Sequence, residues 1–358
     1  MTGYIPILSI RPAEVVALSE LPDISKDRMT PLILIKPWLG GGVLSRGLDK
    51  VHHAYGSRAW FAELDPEYEP PVNSDAVDEI RQLRDPQGGF ASWIAFLEGQ
   101  LNAIPVLQLR GITAAILDAQ ISNIVQLGRG LCLRLQRNID LPSRPIIDAL
   151  AARQVGNIWI VLDYGQQNYR LLANAIPARE EISYIKDKLP NARVSISATS
   201  FPSDFTDITS QDIFEREFFN IVGEGLGDLV FSDRGSARAV EQGGGGVPRP
   251  RIDLPTPTRW HFFRSDCVRL DNETDDAFRT RRLAAYREMA EDVVNSQFWD
   301  ANLNIWGSQL IKITQLGSPF GITSPAKATA CRINMHLARQ SLYGETISTE
   351  EFEEDWVD

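Results

Sequence analysis

The chain has only three cysteines among its 358 residues, and they lie far apart in the sequence. No two of them have the spacing of a Cys-x-x-Cys motif, which is the usual mark of a structural zinc site. An odd number of scattered cysteines also differs from the disulfide framework of small secreted proteins. We therefore expect a protein of the reducing cytoplasm; the three residues are Cys132, Cys267 and Cys331.

Long apolar runs are also missing, because no stretch approaches the roughly 20 residues that a membrane-spanning helix needs. The first residues, MTGYIPILSIRPAE, have no basic region before the apolar residues and soon reach the acidic Glu14. This start differs from a secretory signal peptide. The sequence therefore predicts a protein that has no contact with a membrane.

The short motifs that identify common reaction chemistries are absent as well. The sequence has no Gly-x-Ser-x-Gly elbow, no phosphate-binding P-loop, no His-Glu-x-x-His motif and no protein-kinase loop. No glycine-rich dinucleotide fingerprint follows the first predicted strand. The glycine-rich segment 223–227 lacks a following phosphate-binding lysine, and we interpret it as the end of a helix. These absences leave the reaction class open and the cofactor unknown.

The charge of the chain is unevenly distributed. The formal net charge is −11, and Gly344–Asp358 contributes seven acidic residues and no basic one. We expect this acidic tail to be disordered because it cannot bury a core. Arg234–Arg269 instead holds seven arginines against three acidic residues, together with Trp260, Phe262 and Phe263. Cations mixed with aromatic rings are typical of surfaces that bind single-stranded nucleic acid, so nucleic acid is one candidate partner of this segment.

The strongest pattern is an alternation of short apolar runs with helix-like segments, repeated about eight times from Tyr4 to Arg234. The run Ile158–Leu162 is apolar on both faces, as a buried parallel strand requires. No Asn-Gly or Asp-Gly hairpin signal lies between the runs. The predicted fold class is therefore α/β, a (β/α)8 TIM-like barrel, with an open doubly wound sheet as the alternative. The predicted strands are Tyr4–Ile10, Pro31–Lys36, Trp60–Asp65, Ala103–Arg110, Gly130–Gln136, Asn157–Asp163, Ala192–Thr199 and Asp228–Asp233.

A glycine-rich break at Gly243–Gly246 separates the barrel from a C-terminal extension. We expect a strand pair within Arg259–Leu270 and helices near Thr274–Phe298 and Ala326–Leu342. These helical additions are predicted to pack on the barrel and not to form an independent domain. The predicted parts are residues 1–240 for the barrel, 241–344 for the extension and 345–358 for the acidic tail.

Polar side chains gather near the C-terminal ends of the predicted strands. Alternate residues of a strand lie on the same face. Glu63 therefore shares a face with Asp65, and Arg134 shares a face with Gln136. In (β/α)8 barrels these strand ends meet at one mouth, where ligands bind. Arginine and lysine there favour an anionic ligand, and a carboxylate suits acid–base catalysis. The predicted ligand-binding residues are Lys36, Arg110, Arg134, Gln136 and Arg234, and the predicted catalytic residues are Glu63, Asp65 and Asp163.

Two other interpretations of these polar residues stay open. Polar groups could end the strands only because strand ends meet solvent. A divalent metal could also bind the acidic strand ends, but nothing in their spacing specifies one, and we predict no metal. His52 and His53 are neighbours on a predicted helix and point about 100° apart, which does not suit a shared metal ion. The acidic strand ends are Glu63, Asp65, Asp163 and Asp233.

Two groups of short motifs lie at the two ends of the chain. The first group is Tyr4-Ile5-Pro6-Ile7-Leu8, Arg11-Pro12-Ala13-Glu14, Ala17-Leu18 and Thr30-Pro31-Leu32. The second group is Trp306-Gly307, Gly317-Ser318-Pro319, Ala328-Thr329-Ala330 and the pattern Arg332-x-Asn334-x-His336-Leu337. Together they resemble the beta protein family of phages and prophages, over about a fifth of the chain.

The resemblance implies a protein of mobile-element or phage-conflict loci, in which members accompany toxic or defensive partner genes. It transfers no catalytic residue to this chain. The residues that the motifs offer for a site are Arg11, Glu14, Arg332, Asn334 and His336. Arg332 and His336 are four residues apart and share a helix face, so we predict that both bind a ligand. Packing of the helix is the alternative role.

Two functions of different classes follow from these observations. The first is a conflict protein, with an anti-phage or antitoxin-like role, that binds a protein partner encoded nearby through a TIM-like barrel. The alternative is an enzyme that acts on a phosphate-bearing ligand or on nucleic acid at the barrel mouth. The sequence does not decide whether the chain is an enzyme.

Overall fold

The predicted apolar runs form one parallel sheet in the computed structural model, which describes residues 3–40, 42–71, 74–137, 143–239 and 248–345. The described chain divides into two compact units. Unit 1 contains residues 3–11, 29–201 and 214–234, and unit 2 contains residues 12–28, 202–213 and 235–345. The predicted glycine break and the tail after residue 345 lie outside the described residues. The predicted domain bounds and the packing of the extension stay predictions.

Eight parallel strands in unit 1 form a sheet in the order β4-β3-β2-β1-β9-β7-β6-β5. The strands of the described residues, including the three of unit 2, are numbered along the sequence. They are β1 (Tyr4–Ser9), β2 (Leu32–Ile35), β3 (Trp60–Leu64), β4 (Ala103–Pro105), β5 (Leu131–Gln136), β6 (Ile158–Gln166), β7 (Arg193–Thr199), β8 (Ser210–Asp212), β9 (Val230–Asp233), β10 (Arg251–Pro255) and β11 (Arg259–Arg264).

The two ends of this sheet are joined by a short contact between β4 and β5. Val106 pairs in parallel with Cys132 in an isolated bridge, and the amide of Leu107 donates to the carbonyl of Cys132 at 2.9 Å. Closing a sheet in this way removes its unpaired edges. The predicted (β/α)8 TIM-like barrel is therefore confirmed, and the open doubly wound sheet is excluded.

One predicted strand is much shorter than expected. We predicted Ala103–Arg110, but β4 ends at Pro105, and only Val106 and Leu107 continue the pairing. Pro105 has no backbone N–H to donate to the ladder, and the described pairing stops two residues after it. Arg110 therefore lies beyond the strand, where alternation of faces no longer fixes its direction.

The barrel interior is filled by alternate strand residues. Phe61 of β3 and Trp159 of β6 meet edge to face, with ring centroids 5.3 Å apart. Burial of each such side chain stabilises the fold by about 1.5–3 kcal/mol. Toward the C-terminal strand ends these positions become polar, at Glu63 two residues after Phe61 and at Asp163 four residues after Trp159. The buried cluster consists of Ile5, Ile7, Leu32, Leu34, Phe61, Val106, Cys132, Trp159 and Val161.

Some helices begin at a residue whose side chain accepts a hydrogen bond from a free amide group of the first turn. The hydroxyl of Thr113 accepts from the amide of Ile116 at 3.3 Å, and Ser324 accepts from Lys327 in the same way. None of the described helices is both long and apolar enough to cross a membrane. They are α1 (Pro12–Ser19), α2 (Asp23–Lys26), α3 (Ser45–Tyr55), α4 (Ala76–Leu83), α5 (Gln87–Glu98), α6 (Ala114–Gln126), α7 (Ser143–Ala152), α8 (Ala175–Lys188), α9 (Phe214–Gly223), α10 (Asp275–Asn295), α11 (Trp306–Gln315) and α12 (Pro325–Ser341).

Unit 2 contains a three-stranded antiparallel sheet in the order β10-β11-β8. The predicted strand pair within Arg259–Leu270 is displaced: β11 ends at Arg264 and pairs with β10 before it and with β8. The helix α12 packs against α1, α11 and β10. It is buried on nearly every side, because small and apolar residues occupy most of its length. The predicted C-terminal helices are confirmed.

A glycine pair before β5 tests the packing of the barrel. Gly128 and Gly130 have φ angles of +70° and +77°, which cost other residues about 1–2 kcal/mol. A Cβ on Gly130 would lie 2.5 Å from the carbonyl oxygen of Asn157, whereas one on Gly128 would meet nothing within 4 Å. We expect Gly130→Ala to lower the free energy of unfolding by about 2 kcal/mol more than Gly128→Ala. Urea denaturation measures both, and equal losses would contradict this packing.

Candidate functional site

Four charged side chains meet at the C-terminal strand ends of unit 1, and we call them the mouth network. Arg134 donates from Nε and Nη2 to the two oxygens of Glu63, at 2.6 and 2.7 Å. Its Nη1 donates to Oδ2 of Asp163 at 2.6 Å, and Nη2 of Arg234 donates to the same oxygen at 2.8 Å. Only 1% of the Arg134 side chain is exposed. The network thus pairs two buried cations with two buried anions.

Burial and ion pairing shift the pKa values of these groups in opposite directions. Burial raises the pKa of Glu63, and Arg134 only partly offsets this. Burial also acts to raise the pKa of Asp163, but Arg234 and Arg134 outweigh it, so that pKa is lowered. Despite its burial, the pKa of Arg134 is raised by the two carboxylates. The short two-point contact fits an ionised Glu63, so we take both carboxylates as anions at neutral pH.

Two further predicted residues are buried at the same strand ends. Oδ1 of Asp65 accepts from the amide of Glu67 at 3.0 Å, so this carboxylate shapes the turn after β3. Nζ of Lys36 lies 6.0 Å from the centre of the Tyr68 ring, within the range of a cation–π contact. Asp65 and Lys36 therefore have structural contacts, and their predicted catalytic and binding roles stay predictions.

A cavity of about 720 Å³ opens beside the mouth network. Glu63 and Arg134 form part of its wall, and Arg84, Arg110 and Arg137 add three more cations. In the described wall, arginines thus outnumber carboxylates four to one. Guanidinium groups bind carboxylate and phosphate through paired hydrogen bonds, so this wall suits an anionic ligand. The lining residues are Glu63, Leu64, Pro66, Arg84, Leu107, Gln108, Leu109, Arg110, Arg134, Leu135, Gln136, Arg137 and Ser143.

The three arginines of the cavity wall that lie outside the mouth network differ in how firmly their partners hold them. Nη2 of Arg84 donates to the carbonyl oxygen of Asp65 at 2.9 Å, which fixes this side chain to the backbone. Nη1 of Arg110 lies 3.0 Å from Glu69, in a pair whose side chains are 71% and 67% exposed. Nη1 of Arg137 lies 3.8 Å from Glu181. Arg110 and Arg137 therefore have weak partners that a ligand can replace.

The structure brings together most of the residues predicted at the mouth. Glu63, Arg134, Asp163 and Arg234 form the network itself. Arg110 and Gln136 lie in the cavity wall with Glu63 and Arg134. Arg332 and His336, also predicted to bind a ligand, belong to unit 2. No observation assigns a catalytic role to any of these residues.

The motif residues of α12 make packing contacts in unit 2. Oδ1 of Asn334 accepts from the amide of Gly307 at 2.9 Å, and its Nδ2 donates to the carbonyl of Ala17 at 3.0 Å. Nη1 of Arg332 donates to Asp253 at 2.7 Å, and the ring of His336 stacks on Trp260. Asn334 thus joins the Ala17-Leu18 motif at one end of the chain to the Trp306-Gly307 motif at the other.

A second buried polar group in unit 1 was not predicted from the sequence. The hydroxyl of Tyr4 donates to Oδ1 of Asp233 at 2.5 Å, and Oε2 of Glu215 accepts from the amide of Ser200 at 3.0 Å. Burial, and then repulsion by Asp233, raise the pKa of Glu215 to about 8. The signal was present, because Glu215 lies on the buried face of α9 at helical spacing with Phe218.

The two carboxylates of the mouth network are both paired with arginines. Within the ranges described above, no three His, Cys, Asp or Glu side chains are grouped so that they could hold an ion. The oxygens of Glu63 and Asp163 accept hydrogen bonds from Arg134. The three cysteines are free thiols.

Comparisons with known proteins extend the resemblance to nearly the whole chain. The sequence model of the family described as Beta protein matches residues 4–342. One relative, Protein beta from Enterobacteria phage P4, is 26% identical over 349 residues, which cover 94% of this chain and 92% of that protein. No solved structure matches the chain.

Removing the central cation tests the mouth network. Arg134→Met keeps much of the side-chain volume but leaves Glu63 without its donor, so we expect a loss of about 3–5 kcal/mol in the free energy of unfolding. Adding Glu63→Gln should recover part of this loss, because it removes an uncompensated buried charge. Arg153→Met, which breaks an exposed pair with Asp118, is the control and should cost less than about 1 kcal/mol. Denaturant titration that gives equal losses for both single variants would refute the network.

Glu215 makes stability depend on pH. Its pKa is near 4.5 in the unfolded chain and about 8 in the fold, so the folded state binds the proton more tightly. The stability that protonation adds is complete below about pH 4.5 and is lost as the pH rises towards 8. We expect Glu215→Gln to raise the melting temperature relative to the wild type, increasingly from about pH 5 to 8. Glu217→Gln, an exposed change on the same helix, should show no such trend; an identical profile for both variants would contradict the assignment.

Proposed function

Because this chain belongs to the Beta protein family, we propose that it is a binding protein of phage–host conflict with an anti-phage or antitoxin-like role. In this proposal, the barrel mouth captures an anionic group of a protein partner that a neighbouring gene encodes. The relative from phage P4 supports the phage context. The observation that carries the binding mode is the cavity wall, in which four arginines accompany one carboxylate.

The charges of the mouth favour binding over catalysis. Arg134 occupies both oxygens of Glu63, and Arg134 and Arg234 share Oδ2 of Asp163, so neither carboxylate is positioned to accept a proton from a substrate. The available cations are those with weak partners, Arg110 and Arg137. A carboxylate or phosphate that enters the cavity can replace the exposed Arg110–Glu69 pair, worth about 0–1 kcal/mol, and the long Arg137–Glu181 contact with a two-point contact.

An enzyme that acts on a phosphate-bearing ligand or on nucleic acid at the same mouth is the second candidate. Its support is the raised pKa of Glu63, since a carboxyl that holds its proton more tightly is better suited to act as a general acid. Catalysis would require Arg134 to release Glu63 when the ligand binds. In that case a captured ligand would be chemically altered during incubation with the wild type and unaltered with Glu63→Gln.

Capture of the neighbouring-gene product tests the binding proposal. The full chain is purified together with the products of its adjacent genes, as the wild type and as Arg110→Gln/Arg137→Gln. Both changes lie in the cavity wall but outside the buried network, so the fold should be kept. We expect the double variant to lose at least about tenfold in affinity for the partner, because two charged contacts are removed.

Arg153→Gln is the matched control, since it removes an exposed arginine of unit 1 that lies outside the described cavity wall. It should retain the partner as the wild type does, and all variants should share the melting temperature of the wild type to within a few degrees. Equal affinity of the double variant and the control would exclude the mouth as the binding surface. If the wild type retains none of the products of the adjacent genes, the proposal that one of them is its partner is excluded.

A further inference from the structure

An exposed apolar turn leads from α11 towards α12 in unit 2, and we call residues 316–320 the apolar tip. Leu316 is 78% exposed and Phe320 is 77% exposed. Single exposed apolar side chains are common on protein surfaces, but two large ones in one short turn are typical of a surface that binds a partner. Between them lies Gly317-Ser318-Pro319, a motif that the barrel mouth does not explain. The apolar tip is therefore a candidate interaction surface.

Hydrogen bonds hold the backbone of this turn in one shape. The amide of Gly317 donates to the carbonyl of Thr314 at 2.9 Å. The amide of Gly321 donates to the carbonyl of Ser318 at 3.1 Å. Gly321 also packs so closely on Thr314 that a Cβ there would lie 2.6 Å from the hydroxyl oxygen. The two apolar side chains are thus presented by a fixed turn, which lowers the entropy that is lost on binding.

Three cations lie on the turn or on the helices beside it. Nε of Arg287 donates to the carbonyl of Gln315 at 3.2 Å, and Nζ of Lys327 donates to the carbonyl of Phe320 at 2.5 Å. Lys312 lies in the last turn of α11. None of these three side chains forms an ion pair with a carboxylate of the described residues. A carbonyl group has no net charge, so the positive charge beside the apolar tip is not neutralised by these contacts.

Acidic residues are scarce in this part of unit 2. Residues 301–344, which include α11, the apolar tip and α12, contain no aspartate and no glutamate. On α10, Glu288 and Glu291 lie close to Arg287 in the sequence, but neither forms an ion pair with it. Apolar side chains next to cations suit a partner segment that is acidic and carries a large apolar side chain.

The chain itself supplies such a segment directly after Glu345. Residues 346–358 have the sequence TISTEEFEEDWVD, with six acidic residues and no basic one. Trp356 follows three consecutive acidic residues, Glu353, Glu354 and Asp355. A segment of this composition cannot bury a core of its own, but it can bind to a surface that complements it. The acidic tail is therefore complementary to the apolar tip in charge and in apolar side chains.

The tail is long enough to bring Trp356 to the apolar tip. α12 has 17 residues, so its two ends lie about 26 Å apart at a rise of about 1.5 Å per residue. The apolar tip precedes the first residue of α12, and Glu345, which pairs with Arg28, follows the last. Trp356 comes 11 residues after Glu345. An extended segment of that length spans about 36 Å, which exceeds the length of the helix.

We propose that residues 350–358 of this chain bind the apolar tip, with Trp356 packed on Leu316 and Phe320. The carboxylates before Trp356 then lie near the three cations of the surface. The contact involves only residues of unit 2, so it does not depend on the function proposed for the barrel mouth. It makes the apolar tip a surface that binds an acidic segment with an aromatic side chain, and the chain's own tail occupies that surface.

A labelled peptide of residues 346–358 tests the contact by fluorescence anisotropy. It is added to the full chain as the wild type and as Trp356→Ser, whose own tail no longer covers the apolar tip. We expect the peptide to bind Trp356→Ser at least about tenfold more tightly than the wild type, because an attached tail competes at a high effective concentration. Adding Phe320→Ser to Trp356→Ser should weaken peptide binding about tenfold, since the apolar contact is lost. Higher salt should weaken the binding as well.

Leu101→Ser is the matched control, because it removes a large apolar side chain of unit 1 that is 80% exposed. Combined with Trp356→Ser, it should leave the affinity for the peptide unchanged. Equal affinity of the wild type and Trp356→Ser would show that the tail does not cover the apolar tip, and the proposal would fail. It would also fail if the peptide bound neither form, or if Phe320→Ser matched the control. A wild-type dimer that Phe320→Ser converts to a monomer would place the tail on a second copy and overturn the contact within one chain.

Discussion

The ion pairs of Arg134 determine how the C-terminal end of the barrel is built. This side chain extends from β5 to Glu63 on β3 and to Asp163 on β6, and Arg234 after β9 completes the group. Removing one partner from a buried ion pair leaves an uncompensated charge, which costs several kcal/mol. The strand ends are therefore fixed relative to one another. The cavity beside them has a wall that is already in place before a ligand arrives.

The same pairs decide which chemistry the mouth supports. A carboxylate that is held by guanidinium groups is a poor base, whereas an arginine with an exposed partner can exchange that partner for a ligand. Arg110 is in the second situation, and Arg137 lies 3.8 Å from its mostly buried partner Glu181. The buried charges of the mouth network thus stay paired with one another. The arginines outside the network can bind a ligand. This division supports recognition of an anionic group more strongly than catalysis.

Much of the barrel could be predicted from the sequence, because strand position and facing depend on local pattern. The run Ile158–Leu162 gave the right strand, whereas β3 ends at Leu64, so that Asp65 lies just beyond the strand predicted for it. The ion-pair partners of these side chains could not be predicted from the sequence. They depend on the register between strands that are distant in sequence. Arg110 is exposed and lies three residues after Leu107, where the described pairing of this strand stops. Asn334 joins two ends of the chain through contacts that no local pattern encodes.

The central claim is that the arginine-lined mouth is the surface that meets the partner. Hydrogen–deuterium exchange of the full chain, with and without the product of the adjacent gene, tests it most directly. The account predicts slower exchange on binding at residues 107–110 and at Arg137, which line the cavity. Protection confined to unit 2, with unchanged exchange at these residues, would contradict it.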